Sequence, residues 1–194
     1  MTAATLRLET TSRAEPGPFP GIETVRLQLR QVRLSDADAM AETLSDFAVT
    51  RMLARVPAPY HRQDALDWLL PRVSGIQPGW CLAITGGDAA IGGLSLAPRE
   101  GRWHLGYWLN RSYWGRGYMS EAAEAAIECF FRRMPETAIH SGVFADNPAS
   151  LRVQEKLGFR ITGCRDLYSS ARNAMVPHIE TLLEPQGLTR RSAA

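Results

Sequence analysis

Cysteine, lysine and long apolar runs are all scarce in this chain of 194 residues, and each scarcity removes a class of protein. The three cysteines, Cys81, Cys129 and Cys164, are odd in number and show no C-x-x-C spacing. That pattern speaks against a disulfide framework and a zinc site, so no metal is expected and buried, reduced thiols are. No apolar stretch reaches the roughly 18 residues that a membrane-spanning helix needs, so no membrane partner is expected. Residues 1–21 lack the continuous apolar segment of a secretory signal, and the chain reads as soluble and cytoplasmic. Lys156 is the one lysine among 22 basic residues, a bias that reads as base composition of the genome rather than as chemistry. The net charge of +2 is too small to make nucleic acid or an anionic surface the default partner. No internal repeat is visible, which excludes a solenoid or propeller.

What is present is ordinary globular material, 45% hydrophobic and 22% charged, enough for one core. Val25, Leu27 and Leu29 alternate with Arg26, Gln28 and Arg30, the period of a half-buried strand. Ser35 and Asp38 open a helix over 36–47 that puts Met40, Ala41, Leu44 and Phe47 on one face. A second helix is expected around Ala65, Leu66, Trp68, Leu69 and Leu70, ended or kinked by Pro71. Residues 80–85 and 90–96 read as a hairpin, and 103–109 as the next strand. The order then changes to helix, strand, helix, strand. Residues 117–133 place Ala123, Ile127, Phe130 and Met134 opposite Glu121, Glu124 and Glu128, and a strand follows over 138–144. Asn147 before Pro148 caps a further helix that Gly158 ends. Strands over 159–168 and 175–183 close the domain. The expectation is a single α+β domain over 23–184, with a mixed central sheet of about seven strands and helices on both faces. Residues 1–22 and 185–194 read as flexible tails.

Residues 104–120, H-L-G-Y-W-L-N-R-S-Y-W-G-R-G-Y-M-S, run from a strand through a glycine turn into a helix. The first amides of such a helix point outward with the positive end of its dipole, a place for a pyrophosphate. Neither G-x-G-x-x-G nor G-x-x-x-x-G-K-[ST] is present, so NAD and ATP are poor candidates.

The run L-G-Y-W-L-N-R-S-Y-W-G-R-G-Y-M-S-E-A, followed by N-P-A-S-L-R-V-Q-E-K-L-G-F, resembles the GCN5-related N-acetyltransferases, in particular their ribosomal-protein alanine branch. The resemblance spans nearly all of 23–184. It implies a domain of that fold and acetyl-CoA as co-substrate, lying where the strands over 107–109 and 138–144 splay apart. Backbone of Tyr107, Trp108 and Leu109 would pair with the pantetheine arm. Gly115, Arg116, Gly117, Tyr118, Met119 and Ser120 would hold the pyrophosphate. The family pattern Q/R-x-x-G-x-G/A falls on residues 114–119, where Gly117 matches while Trp114 and Met119 depart from it. Asn147 matches an Asn near the pantetheine, and Ser150 a Ser near the thioester sulfur that donates a proton to the leaving thiolate. Elsewhere in the superfamily a Tyr does that work, and its position is Gln154 here.

Transfer also needs a base to take a proton from the ammonium and a donor for the oxyanion. Where relatives carry Glu on the strand, this chain has His104, the candidate base, with His178 as an alternative; where a carboxylate can follow the strand, it has Arg111. Arg111, Arg116 and Arg152 stand where phosphates would lie, with surface charge the plainer reading of Arg152. The aromatic residues around 103–118 read mostly as packing. The amine acceptor, a protein N-terminus or a small molecule, would sit against residues 48–61 and 169–174. A non-catalytic acyl-CoA-binding module is the alternative, and a homodimer is compatible with this size and family.

Overall fold

The structure is a computed structural model and describes residues 15–87 and 89–190. One eight-stranded sheet organises it, in the order β1-β2-β3-β4-β5-β6-β8-β7. Its strands are β1 (Ile22–Glu23), β2 (Gln28–Gln31), β3 (Trp80–Thr85), β4 (Ala90–Arg99), β5 (Arg102–Leu109), β6 (Ile139–Phe144), β7 (Arg160–Ser169) and β8 (Ala174–Leu183). Every neighbouring pair is antiparallel except β5 and β6. The expected mixed sheet is present, with two-residue β1 as the strand that the alternation pattern did not mark.

Helices cover both faces. On one, α1 (Ala37–Ser45), α2 (Phe47–Thr50) and α3 (Arg62–Val73) bury Met40, Leu44, Val49, Ala65 and Leu69, with Trp108 of β5 packed against them. On the other, α4 (Tyr118–Arg133) and α5 (Pro148–Leu157) cover the larger core. There Ala122, Ala126, Ile127 and Phe130 of α4 meet Leu82, Leu94, Leu96 and Leu105 of the sheet. Strand alternation sets these sides: Trp103, Leu105 and Leu109 are buried toward α4, while His104, Gly106 and Trp108 face the α1–α3 side.

Several expectations are corrected. Val25 is 96% exposed, because residues 24–27 make a tight turn closed by Thr24 and Leu27 and only then enter β2. Phe47 opens the separate short helix α2, capped by Asp46, instead of ending α1. Pro71 lies inside α3, in its last turn, where only one backbone bond is forfeited. Residues 15–22, read as part of a flexible tail, are anchored: Phe19 is buried against Trp80, and Gly17 accepts a 2.7 Å bond from the Trp80 indole. Residues 185–190 are anchored too, since the Thr189 amide donates to Leu157. Residues 1–14 and 191–194, the outer parts of both expected tails, lie outside the described residues. Of the cysteines only Cys129 is fully buried; Cys81 is half-buried, Cys164 exposed, and all three are free thiols.

Candidate active site

The parallel pair β5–β6 is joined over only two registers, Trp103 with Ile139 and His104 with His140, after which the strands diverge. Ser141 Oγ bridges the start of the gap with a 3.0 Å bond to the Leu105 carbonyl. On its other edge β5 stays paired with β4, and the Asn110 amide still donates to Ile91. Backbone direction alternates along a strand, so the amides of Tyr107 and Leu109 face the gap while that of Trp108 faces β4. The backbone of Tyr107 and Leu109 is therefore open to the gap, whereas that of Trp108 is engaged with β4 and its ring packs against the α1–α3 cluster.

Beyond the gap, Gly115 (φ 74°) and Gly117 (φ 77°) take left-handed conformations that admit glycine most readily. Gly117 is the N-cap of α4 and has no side chain to cap with, which leaves the first amides of the helix open to an outside anion. Met119 and Ser120 turn their side chains into the core, with 7% and 8% exposure. The departure from the family pattern at Met119 thus leaves the outer side of the turn clear. Trp114 is spent differently: its indole donates 2.8 Å to the Leu109 carbonyl.

The glycine turn is held from behind by Arg26, which sequence reading did not single out. Its guanidinium donates to the Arg116 carbonyl (2.9 Å), lies 4.5 Å over the Tyr118 ring and pairs with Glu121 at 2.7 Å. Glu121 also accepts from Thr24 at 2.6 Å. Burial would raise its pKa, but the bonds from Thr24 and Arg26 outweigh that and hold it below the usual carboxylate range.

Opposite this turn, Asn147 caps α5 by accepting from the Ser150 amide at 3.1 Å. The Tyr107 hydroxyl lies 2.8 Å from Ser150 Oγ and 3.2 Å from the Ser150 carbonyl. Burial pushes the Tyr107 phenol up, against weaker lowering by Ser150 and Gln154, so it stays protonated. Gln154 is 1% exposed and tied into the fold: it donates to Ser141 Oγ at 2.9 Å and accepts from Thr181 at 2.6 Å.

Two cavities meet at the gap. One, of about 560 Å³, runs past the Gly115–Gly117 turn, Met119, Ser120, Asn147, Ser150, Arg152 and Lys156. The other, of about 720 Å³, lies on the α1–α3 side between residues 52–57, α3, β4 and the end of β6. Met52, Leu53, Gly106, Tyr107, Trp108, Gly142 and Val143 line both. Residues 48–61 do border the second cavity through their later part, whereas 169–174 contribute no wall. Arg172 of that turn acts at one remove: it donates to the Arg51 carbonyl (2.6 Å) and to both carboxylate oxygens of Asp146.

The base candidates divide. His104 stacks on His140 at 5.5 Å and borders neither cavity. Burial, then His140, Arg55 and Arg102, pull its pKa down to about 4 against an opposing pull from Glu180. His178 borders the second cavity, and its buried Nδ1 has no hydrogen-bond partner among the described residues. Room for its ring comes from Gly142, where a β-carbon would fall 2.8 Å from His178 Nε2. Its pKa too is lowered, by burial first and then by Arg165. Arg111 stands away from the glycine turn, 3.8 Å from Asp46 in a separate shallow pocket. No cluster able to hold a metal occurs among the described residues, nor does any of their helices have the length and apolarity to cross a membrane.

A splayed parallel pair beside a glycine turn that opens onto a helix N-terminus offers a place for an extended ligand with an anionic end, and comparison with known proteins gives the class. Residues 26–160 match the family model described as an acetyltransferase (GNAT) domain, so the chain belongs to the GNAT acetyltransferase family. It is an acyl-CoA-dependent N-acetyltransferase. An uncharacterized N-acetyltransferase, p20 of Bacillus licheniformis, is 28% identical over 159 residues, covering 79% of this chain and 89% of the relative. The solved ribosomal-protein-S5-alanine acetyltransferase of Vibrio fischeri superposes with a TM-score of 0.72 at 21% identity, over 88% of this chain and 99% of that one. RimL, a ribosomal L7/L12 alpha-N-protein acetyltransferase solved in complex with coenzyme A, gives a TM-score of 0.74 at 20% identity, over 84% and 97%. At these identities the solved structures speak for the fold.

Proposed function

We propose that the protein transfers acetyl from acetyl-CoA to a primary amine by direct attack, and that a protein N-terminal amine is the acceptor type. The observation that carries this reading is the meeting of two cavities at the β5–β6 gap, one bordered by an anion-receptive helix N-terminus and the other open on the opposite side. The N-terminal acceptor is supported by what RimL and the S5-alanine enzyme are named for.

The pyrophosphate of acetyl-CoA fits the amides from Gly115 to Ser120. Arg152 and Lys156 on the cavity wall, and Arg116 in the turn itself, have no carboxylate partner among the described residues and supply the surrounding positive charge. The amides of Tyr107 and Leu109 receive the pantetheine arm, with Asn147 beside it. The amine, once neutral, attacks the thioester carbonyl; the carbon–sulfur bond breaks and its electron pair goes to sulfur. Ser150 then gives its hydroxyl proton to the thiolate and is resupplied by the protonated Tyr107 phenol, while the acylated nitrogen sheds its surplus proton to solvent, which returns one to Tyr107, so that amide and coenzyme A thiol leave with the pair protonated as before. His178 receives the ammonium proton, because it borders the acceptor cavity with a neutral ring. His104, a weaker proton acceptor set back from both cavities, serves at most through water.

Calorimetric titration with acetyl-CoA, against coenzyme A and ATP, tests the donor site without knowledge of the acceptor. Selective binding of acetyl-CoA followed by thiol release on adding N-terminal peptides is the expected result. Binding without release for any amine would make the protein a non-catalytic acyl-CoA binder, and absence of binding by the folded protein would reject the donor site.

A further inference from the structure

The acceptor-side cavity carries three guanidinium groups without counter-ions. Arg55 comes from the loop after α2, Arg72 from the last turn of α3 and Arg99 from the end of β4. None has a carboxylate partner among the described residues. Arg72 is fixed in place, 3.8 Å over the Trp68 ring, and its buried Nε is left without a hydrogen-bond partner. Arg99 reaches toward the reacting end: a terminal nitrogen lies 3.9 Å from where a β-carbon on Gly106 would sit. The carboxylates on the same wall, Asp64 and Asp67, are engaged along their own helix, with the His61 amide and Gln63 Nε2, each at 2.7 Å.

Like charges gathered in a partly enclosed space repel unless an anion joins them. Within the set, burial and then Arg72 lower the proton affinity of Arg55, and Arg55 in turn helps to keep His104 neutral. Guanidinium groups bind carboxylate oxygens with paired, charge-assisted hydrogen bonds, and Arg is the side chain best shaped to do so.

We propose that this cavity selects an acceptor bearing carboxylate groups near its amine, held by Arg55, Arg72 and Arg99 while the amine enters the gap at Gly106. The proposal rests on the acetyl-transfer reading above. Carboxylates beside an amine occur in an acidic peptide, with Asp or Glu directly after the N-terminal residue, and in free acidic amino acids. The same positive field favours the neutral form of the incoming amine, which is the form that attacks.

The test measures thiol release with Ser-Glu-Asp and Ser-Gln-Asn peptides of equal length, and in a second arm with free glutamate and glutamine. An acidic acceptor should show kcat/KM at least tenfold above its neutral isostere, and the arm in which it does so identifies the source. In the Arg55→Gln/Arg99→Gln double variant the ratio should collapse toward one, and Arg99→Glu should turn it in favour of the neutral acceptor, with folding checked by circular dichroism. Equal use of acidic and neutral acceptors, or a ratio that survives the double variant, overturns the proposal while leaving acetyl transfer intact. No thiol release with any amine overturns the acetyl-transfer reading and this one with it.

Discussion

The hydroxyls of Tyr107 and Ser150 lie 2.8 Å apart, so in the proposed reaction each governs what the other can do for a leaving thiolate. Removing the phenol oxygen in Tyr107→Phe keeps the ring and its packing but stops resupply of the Ser150 proton. We expect kcat to fall about tenfold or more, at the low end of general-acid effects, with the Kd for acetyl-CoA within about twofold of the parent. Ser150→Ala should fall at least as far, and the double variant no further than Ser150→Ala, the mark of groups acting as one unit. Multiplying effects would show that the two act separately. His104 permits a prediction about stability. Its pKa is about 4 in the folded protein against 6.5 for a free imidazole, so between those values the unfolded chain holds a proton that the folded one does not. Stability from this group is complete above pH 6.5 and is lost as the pH falls toward 4. His140 and His178, also lowered, act in the same direction. Replacing His104 by Gln should therefore flatten the slope of Tm against pH across that window; an unchanged slope would mean that the environment of His104 does not disfavour its charge.

At the scale of elements, the glycine turn ahead of α4 is shaped by a residue from the far end of the chain. Arg26 holds the Arg116 carbonyl and Glu121 together, and with 37% of its side chain exposed the ion pair itself adds little stability. Its work is orientation, so Arg26→Ala should raise the KM for acetyl-CoA severalfold and leave kcat and Tm nearly as they were. An equal loss in kcat would place Arg26 in the chemical step instead. This link also shows where sequence reading runs out. The strand, turn and helix over 103–133, the Asn147–Pro148 cap and the Gly158 stop follow from local rules and are found in place. The turn over 24–27 defeats the alternation rule, because Thr24 and Arg26 answer to Glu121 of α4 and not to their own strand. Tyr107 was legible as part of a strand, but its partnership with Ser150 requires β5 and α5 to be packed together. The Arg55, Arg72 and Arg99 set likewise comes from three elements and has no spacing to recognise. Lys156, notable in the sequence only as the one lysine, gains a place from the cavity wall, because a lone exposed cation on a helix has no pattern of its own.

At the scale of the whole molecule two cavities share one strand gap, and on the proposed function this arrangement has kinetic consequences. Both cavities are lined by the same residues at the strand gap, so the proposed direct attack requires amine and acetyl-CoA to be bound together. A covalent route would need a nucleophile in that gap. The cysteine bordering the acceptor cavity is Cys81, and burial pushes its thiol up despite the lowering influence of Arg72. A thiol held protonated is a poor nucleophile. Cys129 is buried in the core and Cys164 is exposed on β7, and neither borders either cavity. Initial rates measured with both substrates varied should accordingly give intersecting double-reciprocal lines, and Cys81→Ser should keep that pattern with kcat within about threefold of the parent. Parallel lines in the parent, lost together with activity in Cys81→Ser, would establish an acetyl-cysteine intermediate and displace direct attack. Ordinary turnover by the variant, with no radiolabel retained on the parent after incubation with acetyl-CoA alone, would leave the amine itself as the nucleophile that opens the thioester.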